Sequence, residues 1–153
     1  MFNRAMFDRA FTGVAAPVAI AVVLTTAACR STEESGDAPL APHPTGVEWS
    51  LIALDGAAAE SGAGGRPATL MLDGAERRAG GFTGCNQFGG GYVLQGSEFR
   101  FTPLASTKMA CDTGMELERR YTAALDAVRS YRMAGDTLVL LGGDRELARY
   151  VRR

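Results

Sequence analysis

One histidine, one tryptophan and three cysteines occur among 153 residues. With a single imidazole, most histidine-dependent acid–base chemistry is excluded. Three cysteines with so little histidine are also short of a closed tetrahedral zinc site, so no metal is expected. Neither sign of charge dominates: 16 basic side chains face 17 acidic ones. A nucleic-acid partner is not expected, because such partners need a strongly basic face. Long apolar runs are missing too, and none reaches the ~20 residues of a membrane-spanning helix. There is no internal repeat. There is also no β-α-β rhythm, which argues against a doubly wound nucleotide-binding sheet. What remains is 46% hydrophobic and 22% charged, an ordinary globular balance and enough chain for one domain.

The N-terminus reads as an address. Arg4 and Arg9 precede an apolar run over residues 14–24, then the small residues Thr25, Thr26, Ala27 and Ala28, then Cys29. The run has the length of a signal-peptide core. A plain secretory signal cut near Ala28 would fit. The cysteine directly after the small residues resembles a bacterial lipobox more closely, although Thr26 stands where such signals usually carry leucine. On that reading residues 1–28 are a lipoprotein signal peptide, and Cys29 is acylated and becomes the mature N-terminus. Several acyl chains then hold the protein to a bilayer, at ~0.8 kcal/mol per buried methylene. Arg30 follows the cysteine, which by resemblance to enterobacterial sorting places the anchor in the outer membrane, facing the periplasm. Residues 29–46 carry three prolines close together and one sizeable apolar side chain, Leu40. They read as a flexible spacer. The sole histidine, His43, sits in this spacer and is not expected to be catalytic.

Residues 47–153 read as one folded domain of short apolar runs punctuated by glycine. Trp49 and Leu51 alternate with polar residues as in a half-buried strand. Further strands are expected at 69–72, 92–94, 98–102, 131–133, 137–141 and 146–151, with 92–94 and 98–102 forming a hairpin around Gln95-Gly96-Ser97. A helix over 115–129 aligns Leu117, Tyr121, Leu125 and Val128 on one face, with Thr113 and Glu116 matching a capping box. About seven strands and one helix predict a mainly β domain, a small curled antiparallel barrel. Trp49, Leu51, Leu70, Leu72, Tyr92, Phe99, Phe101, Leu138 and Leu140 are its candidate core, bulky enough to fill it.

Three constellations invite a chemical reading. The glycine-rich stretch 80–91 lacks the Lys-Ser/Thr of a phosphate loop and reads better as tight bends and close strand packing. Cys85 and Cys111 read most simply as a disulfide in an oxidising compartment; two buried thiols, or redox or metal chemistry, are the alternatives. Asp112, Glu116 and Glu118 gather at the helix start, where paired carboxylates would suit glycoside hydrolysis. The helix N-terminus accounts for the first two, and Glu118 reads as part of a solvated face. The small, Gly-Ala-rich loop 57–67 is expected to be floppy.

The order Trp49, Leu51, Gly56, then Gly84-Cys85-Asn86, Gly90 and Tyr92, then Phe101, Leu104, Thr107, Met109-Ala110-Cys111 resembles the META-domain family. That family includes the heat-inducible HslJ-type lipoproteins of bacterial envelopes. The likeness continues through Glu116 and Glu118, Tyr131, Gly135-Asp136 and Leu138. It implies a broadly lipocalin-like barrel with one helix between strands, no cofactor, and association with heat shock, envelope stress and some antibiotic tolerance. Gly84, Cys85, Asn86, Gly90, Tyr92, Thr107, Met109, Ala110 and Cys111 carry over as fold-defining positions, not catalytic ones, and Asn86 is expected to bond its own local turn. The expectation for function is a non-enzymatic envelope lipoprotein, stress-related or an interaction module with an unknown protein partner. Two alternatives are a carrier of a small apolar ligand inside the barrel and an inhibitor of a periplasmic or host enzyme.

Overall fold

Strands alternate their side chains between two faces, and here the inward set is almost uniformly large and apolar. In the computed structural model of the chain, which describes residues 43–153, that alternation begins with β1 (Glu48–Leu54). Trp49, Leu51 and Leu54 point inward and are buried. There follow β2 (Ala57–Ala58), β3 (Thr69–Asp73), β4 (Arg78–Phe82), β5 (Gln87–Gln95), β6 (Glu98–Phe101) and β7 (Ala105–Ser106). After α1 (Met115–Ala127) come β8 (Ser130–Ala134), β9 (Thr137–Gly142) and β10 (Arg145–Arg152). All neighbouring strands are antiparallel, in the order β10, β9, β8, β6, β5, β4, β3, β1, and β1 pairs back onto β10 to close the ring. The short β2 and β7 lie beside β1 and β5. The mainly β barrel with a single helix is therefore the architecture observed.

Closure needs curvature, and two irregularities supply it. The register between β1 and β10 shifts at Ile52, and that between β10 and β9 shifts at Leu147. Such bulges bend and twist a strand locally. The thinnest seam is β6 against β8, with the single pair Glu98 and Ser130. Two further bonds flank it: Phe99 N–H donates to the Arg129 carbonyl at 3.0 Å and Tyr131 N–H to the Ser97 carbonyl at 3.1 Å.

The helix fills the barrel. Leu117, Tyr121, Ala124 and Leu125 are its buried face. Tyr121 touches strands on different sides of the ring: its hydroxyl donates to the Thr69 carbonyl on β3 at 3.3 Å, and its ring meets Phe88 of β5 edge to face. The Tyr150 hydroxyl of β10 lies 3.1 Å from that of Tyr121. Only a helix inside the ring's opening can reach all three. Trp49, Phe99, Tyr121 and Tyr150 are fully buried in one continuous cluster.

Several expectations need correcting. Two strands are rich in glycine: β4 contains Gly80 and Gly81, and β5 starts at Gln87 and contains Gly89, Gly90 and Gly91. Glycine's weak strand preference hides them from a propensity reading. β4 and the two-residue strands raise the number of segments from about seven to ten, and β5 begins five residues earlier than expected. The helix starts from Gly114 in the left-handed region, at φ 90°, with no side-chain cap, so the Thr113–Glu116 capping box does not form. It ends at Ala127 because Val128 is extended. The signal peptide 1–28, Cys29 and the spacer up to residue 42 lie outside the described residues. The last residues assigned to the spacer belong to the domain. Pro44 is buried, its carbonyl accepts the Trp49 indole N–H at 2.7 Å, and Gly46 N–H donates to the Leu72 carbonyl at 2.9 Å.

Candidate functional site

The turn between β4 and β5 gathers most of the residues singled out above. Thr83 N–H donates to the Asn86 carbonyl at 2.8 Å, closing the turn. Cys85 is joined to Cys111 by a disulfide of 2.00 Å that encloses 26 positions of sequence separation. This clamps the turn to the segment leading into α1. Asn86 is buried, and its side chain bonds to two other segments. Its amide donates to the Glu118 carboxylate at 3.0 and 3.1 Å and reaches the Met109 carbonyl at 3.2 Å. Its carbonyl oxygen accepts from the Thr107 hydroxyl and the Met109 N–H, both at 2.8 Å. Asn86 thus joins segments distant in sequence, and the local turn is made by Thr83 instead.

Glu118 is the residue the sequence reading misplaced. It is half-buried, and its Oε2 accepts from the Asn86 backbone N–H at 2.9 Å and lies 2.6 Å from the Thr83 hydroxyl. It faces the turn, not solvent. The signal for it lay only in the family resemblance, since its neighbours Arg119 and Arg120 make the local sequence look like a surface. Glu116, one residue-pair away, does face solvent. There the Arg119 guanidinium binds its carboxylate and holds it below the ordinary carboxylate range. Three backbones also converge on this turn. Ala63 N–H donates to the Gly84 carbonyl at 2.6 Å, and a Cβ at Gly62 or Gly114 would overlap that same carbonyl. The loop 57–67 is therefore tied down at its centre, contrary to its composition.

The remaining motif residues lie elsewhere. Gly90 sits where the chain crosses at Pro103 and Leu104, close enough that a Cβ would come within 2.8 Å of the Pro103 carbonyl. Tyr92 points inward, stacks on Phe99 at 5.4 Å and donates to the Asp73 carbonyl at 2.9 Å. Ala110 is exposed beside Met109. Among the described residues no group of three or more His, Cys, Asp and Glu side chains is placed to hold a metal ion.

The clamped hairpin has an outer face, and a cavity of about 570 Å³ opens there over β1, β3, β4 and β5. Its floor is Gly80 and Gly89, directly paired across the ladder. Its rim includes Arg66, Met71, Arg78 and Phe82. The Arg66 guanidinium lies 4.1 Å above the Phe82 ring, a favourable cation–π placement.

A closed eight-stranded antiparallel barrel plugged by one helix, with a disulfide-clamped hairpin on its wall, defines the class of this protein. The chain belongs to the META domain family, which matches residues 39–153. An NMR structure of a protein from Burkholderia xenovorans is 28% identical, covering 74% of this chain and 92% of that one, with a TM-score of 0.57. A second NMR structure, 20% identical over 69% of this chain and 88% of that one, has a TM-score of 0.54 and shares the fold. No curated protein matches this chain.

Proposed function

We propose that this protein is a lipid-anchored, non-enzymatic binding module of the bacterial envelope, used in stress protection, whose recognition surface is the outer wall of the barrel. The observation that carries the reading is the filled interior. Trp49, Phe99, Tyr121 and Tyr150 occupy it with no side-chain exposure, while the described cavity lies outside, on the wall over β3 and β4. A carrier of an apolar ligand needs an underfilled barrel, so that alternative has the packing against it. The carboxylate best placed for chemistry, Glu118, spends its oxygens on Asn86 and Thr83, which supports a binding role over a catalytic one. The inhibitor alternative needs an exposed loop with an anchor side chain, and residues 57–67 hold no aromatic one.

Two measurements test the reading. Radiolabelled palmitate should enter the protein in a bacterial host, and Cys29→Ser should abolish both labelling and membrane fractionation. A photo-crosslinking residue at Met71, on the cavity rim, should capture an envelope component in cells after a heat shift. The same residue at Arg132, on the opposite side of the ring in β8, should not. Equal capture at both positions would remove the wall over β3 and β4 as the recognition surface.

A further inference from the structure

The cavity over β1, β3, β4 and β5 also carries information about its ligand, and the argument rests on the reading of this wall as the binding surface. Outward-facing residues form a row across the strands: Glu48 opposite Met71, Met71 opposite Gly80, Gly80 opposite Gly89. The fold does not demand the last glycine. Gly89 has no left-handed φ, and a Cβ there would meet nothing closer than the Ala79 carbonyl at 3.8 Å. Gly81, one residue beyond Gly80, is different, because its Cβ would overlap the Thr69 carbonyl. A strand glycine that neither backbone nor packing requires is a place for something to approach closely.

The floor offers shape but few polar contacts, since the backbone groups of β4 and β5 are engaged in their ladder. Polar contacts come from the two ends. Arg78 stands two residues before Gly80, and Phe82, carrying Arg66 over its ring, stands two residues after. At the strand rise, these positions are roughly 13 Å apart. Arg66 is held in place, its Nε donating to the Ala63 carbonyl at 3.5 Å as the guanidinium covers Phe82. Among the described residues neither Arg66 nor Arg78 has a carboxylate partner. Of the three acids that line the cavity, Glu48 pairs with Arg153 at 3.7 Å and Asp73 accepts the Ala75 and Glu76 N–H groups, while the Glu76 carboxylate has no ion pair among the described residues. Met71, 52% exposed, forms an apolar flank.

We infer that this trough binds an elongated glycan of about two rings bearing an oxyanion at each end. The rings lie flat on Gly80 and Gly89 against Met71, and Arg66 and Arg78 each take one oxyanion. Guanidinium forks suit phosphate and carboxylate alike, and the cavity volume of about 570 Å³ falls within the usual range of small-ligand sites.

The test is calorimetric titration of the full-length protein, purified from bacterial membranes in non-ionic detergent. Three disaccharide probes are used: a glucosamine disaccharide phosphorylated on both rings, digalacturonate, and the unphosphorylated glucosamine disaccharide. At least one bis-anion should bind, and which one does so identifies the oxyanion. The neutral disaccharide should bind at least about tenfold more weakly. Arg66→Gln and Arg78→Gln should each weaken the bis-anion about tenfold, the loss of one charge-assisted hydrogen bond. Gly89→Val should abolish binding with the thermal midpoint unchanged or raised, since a β-branched side chain suits a half-buried strand position. No binding by either bis-anion at millimolar concentration overturns the inference, as does unaltered binding by Gly89→Val or by the arginine variants. Crosslinking at Met71 would persist in that case if the wall recognises another partner, so the two failures are distinguishable.

Discussion

Asn86 spends its whole side chain on Glu118, Thr107 and Met109, and this fixes what its loss must cost. In Asn86→Ala the Met109 N–H loses its acceptor and the half-buried Glu118 carboxylate loses a donor that bridges both its oxygens. Buried groups left unpaired cost about 1–3 kcal/mol each, so Asn86→Ala should lower stability by about 3 kcal/mol in urea denaturation. Glu118→Gln keeps the shape but turns an amide toward the donors of Asn86 and should cost about 1–2 kcal/mol. If the two residues work as one contact, the double variant will be less destabilised than the sum of the singles, and a double-mutant cycle reads that coupling directly. Sequence could name Asn86 as important but not its partners. An asparagine after a turn cysteine looks local, and only the fold brings Glu118, 32 positions away, against it.

The clamped hairpin and the tyrosine pair behave as units. Reducing the Cys85–Cys111 bond frees a loop of 26 positions, which in the chain-entropy account costs about 3.5 kcal/mol; denaturation with and without reductant measures it. The hydroxyls of Tyr121 and Tyr150 are buried together, and burial raises both phenols well above their ordinary value. The folded protein therefore holds these protons more tightly than the unfolded chain. The stability they contribute is complete below about pH 10 and falls as the pH climbs beyond it. Tyr150→Phe should make that alkaline decline shallower, by up to about 1.4 kcal/mol per pH unit, as urea midpoints across the range will show. Most elements were legible in the sequence. The strands at 69–73, 137–142 and 145–152 show as short apolar runs set off by turn residues, and the helix as an apolar stripe. β4 and the start of β5 did not, because Gly80, Gly81, Gly89, Gly90 and Gly91 have no side chains with which to show a pattern. The wall that carries the candidate site was for that reason the least visible part of the fold.

At the scale of the whole molecule, the inward residues expected from alternation are the ones that fill the barrel, with Phe101 at its margin. Their sizes alone argued for a packed interior. What no local pattern could give is the closure of the ring, since β1 and β10 are separated by nearly the whole domain and meet through register alone. The ring is not equally strong all round. The seam between β6 and β8 rests on one paired position and two flanking bonds, so the amides of Phe99 and Tyr131 should exchange with solvent earlier than those along β1 and β10, as hydrogen exchange followed by NMR would show. β1 is the opposite case. The chain enters it past Pro44, which holds the Trp49 indole, and the strand is then bonded on one side to β3 and on the other to β10. A load directed along β1 is therefore resisted by two ladders in shear together. Peeling the ladders one bond at a time needs a pull across the strand instead, as between Glu48 and Arg153, which lie side by side where β1 begins and β10 ends.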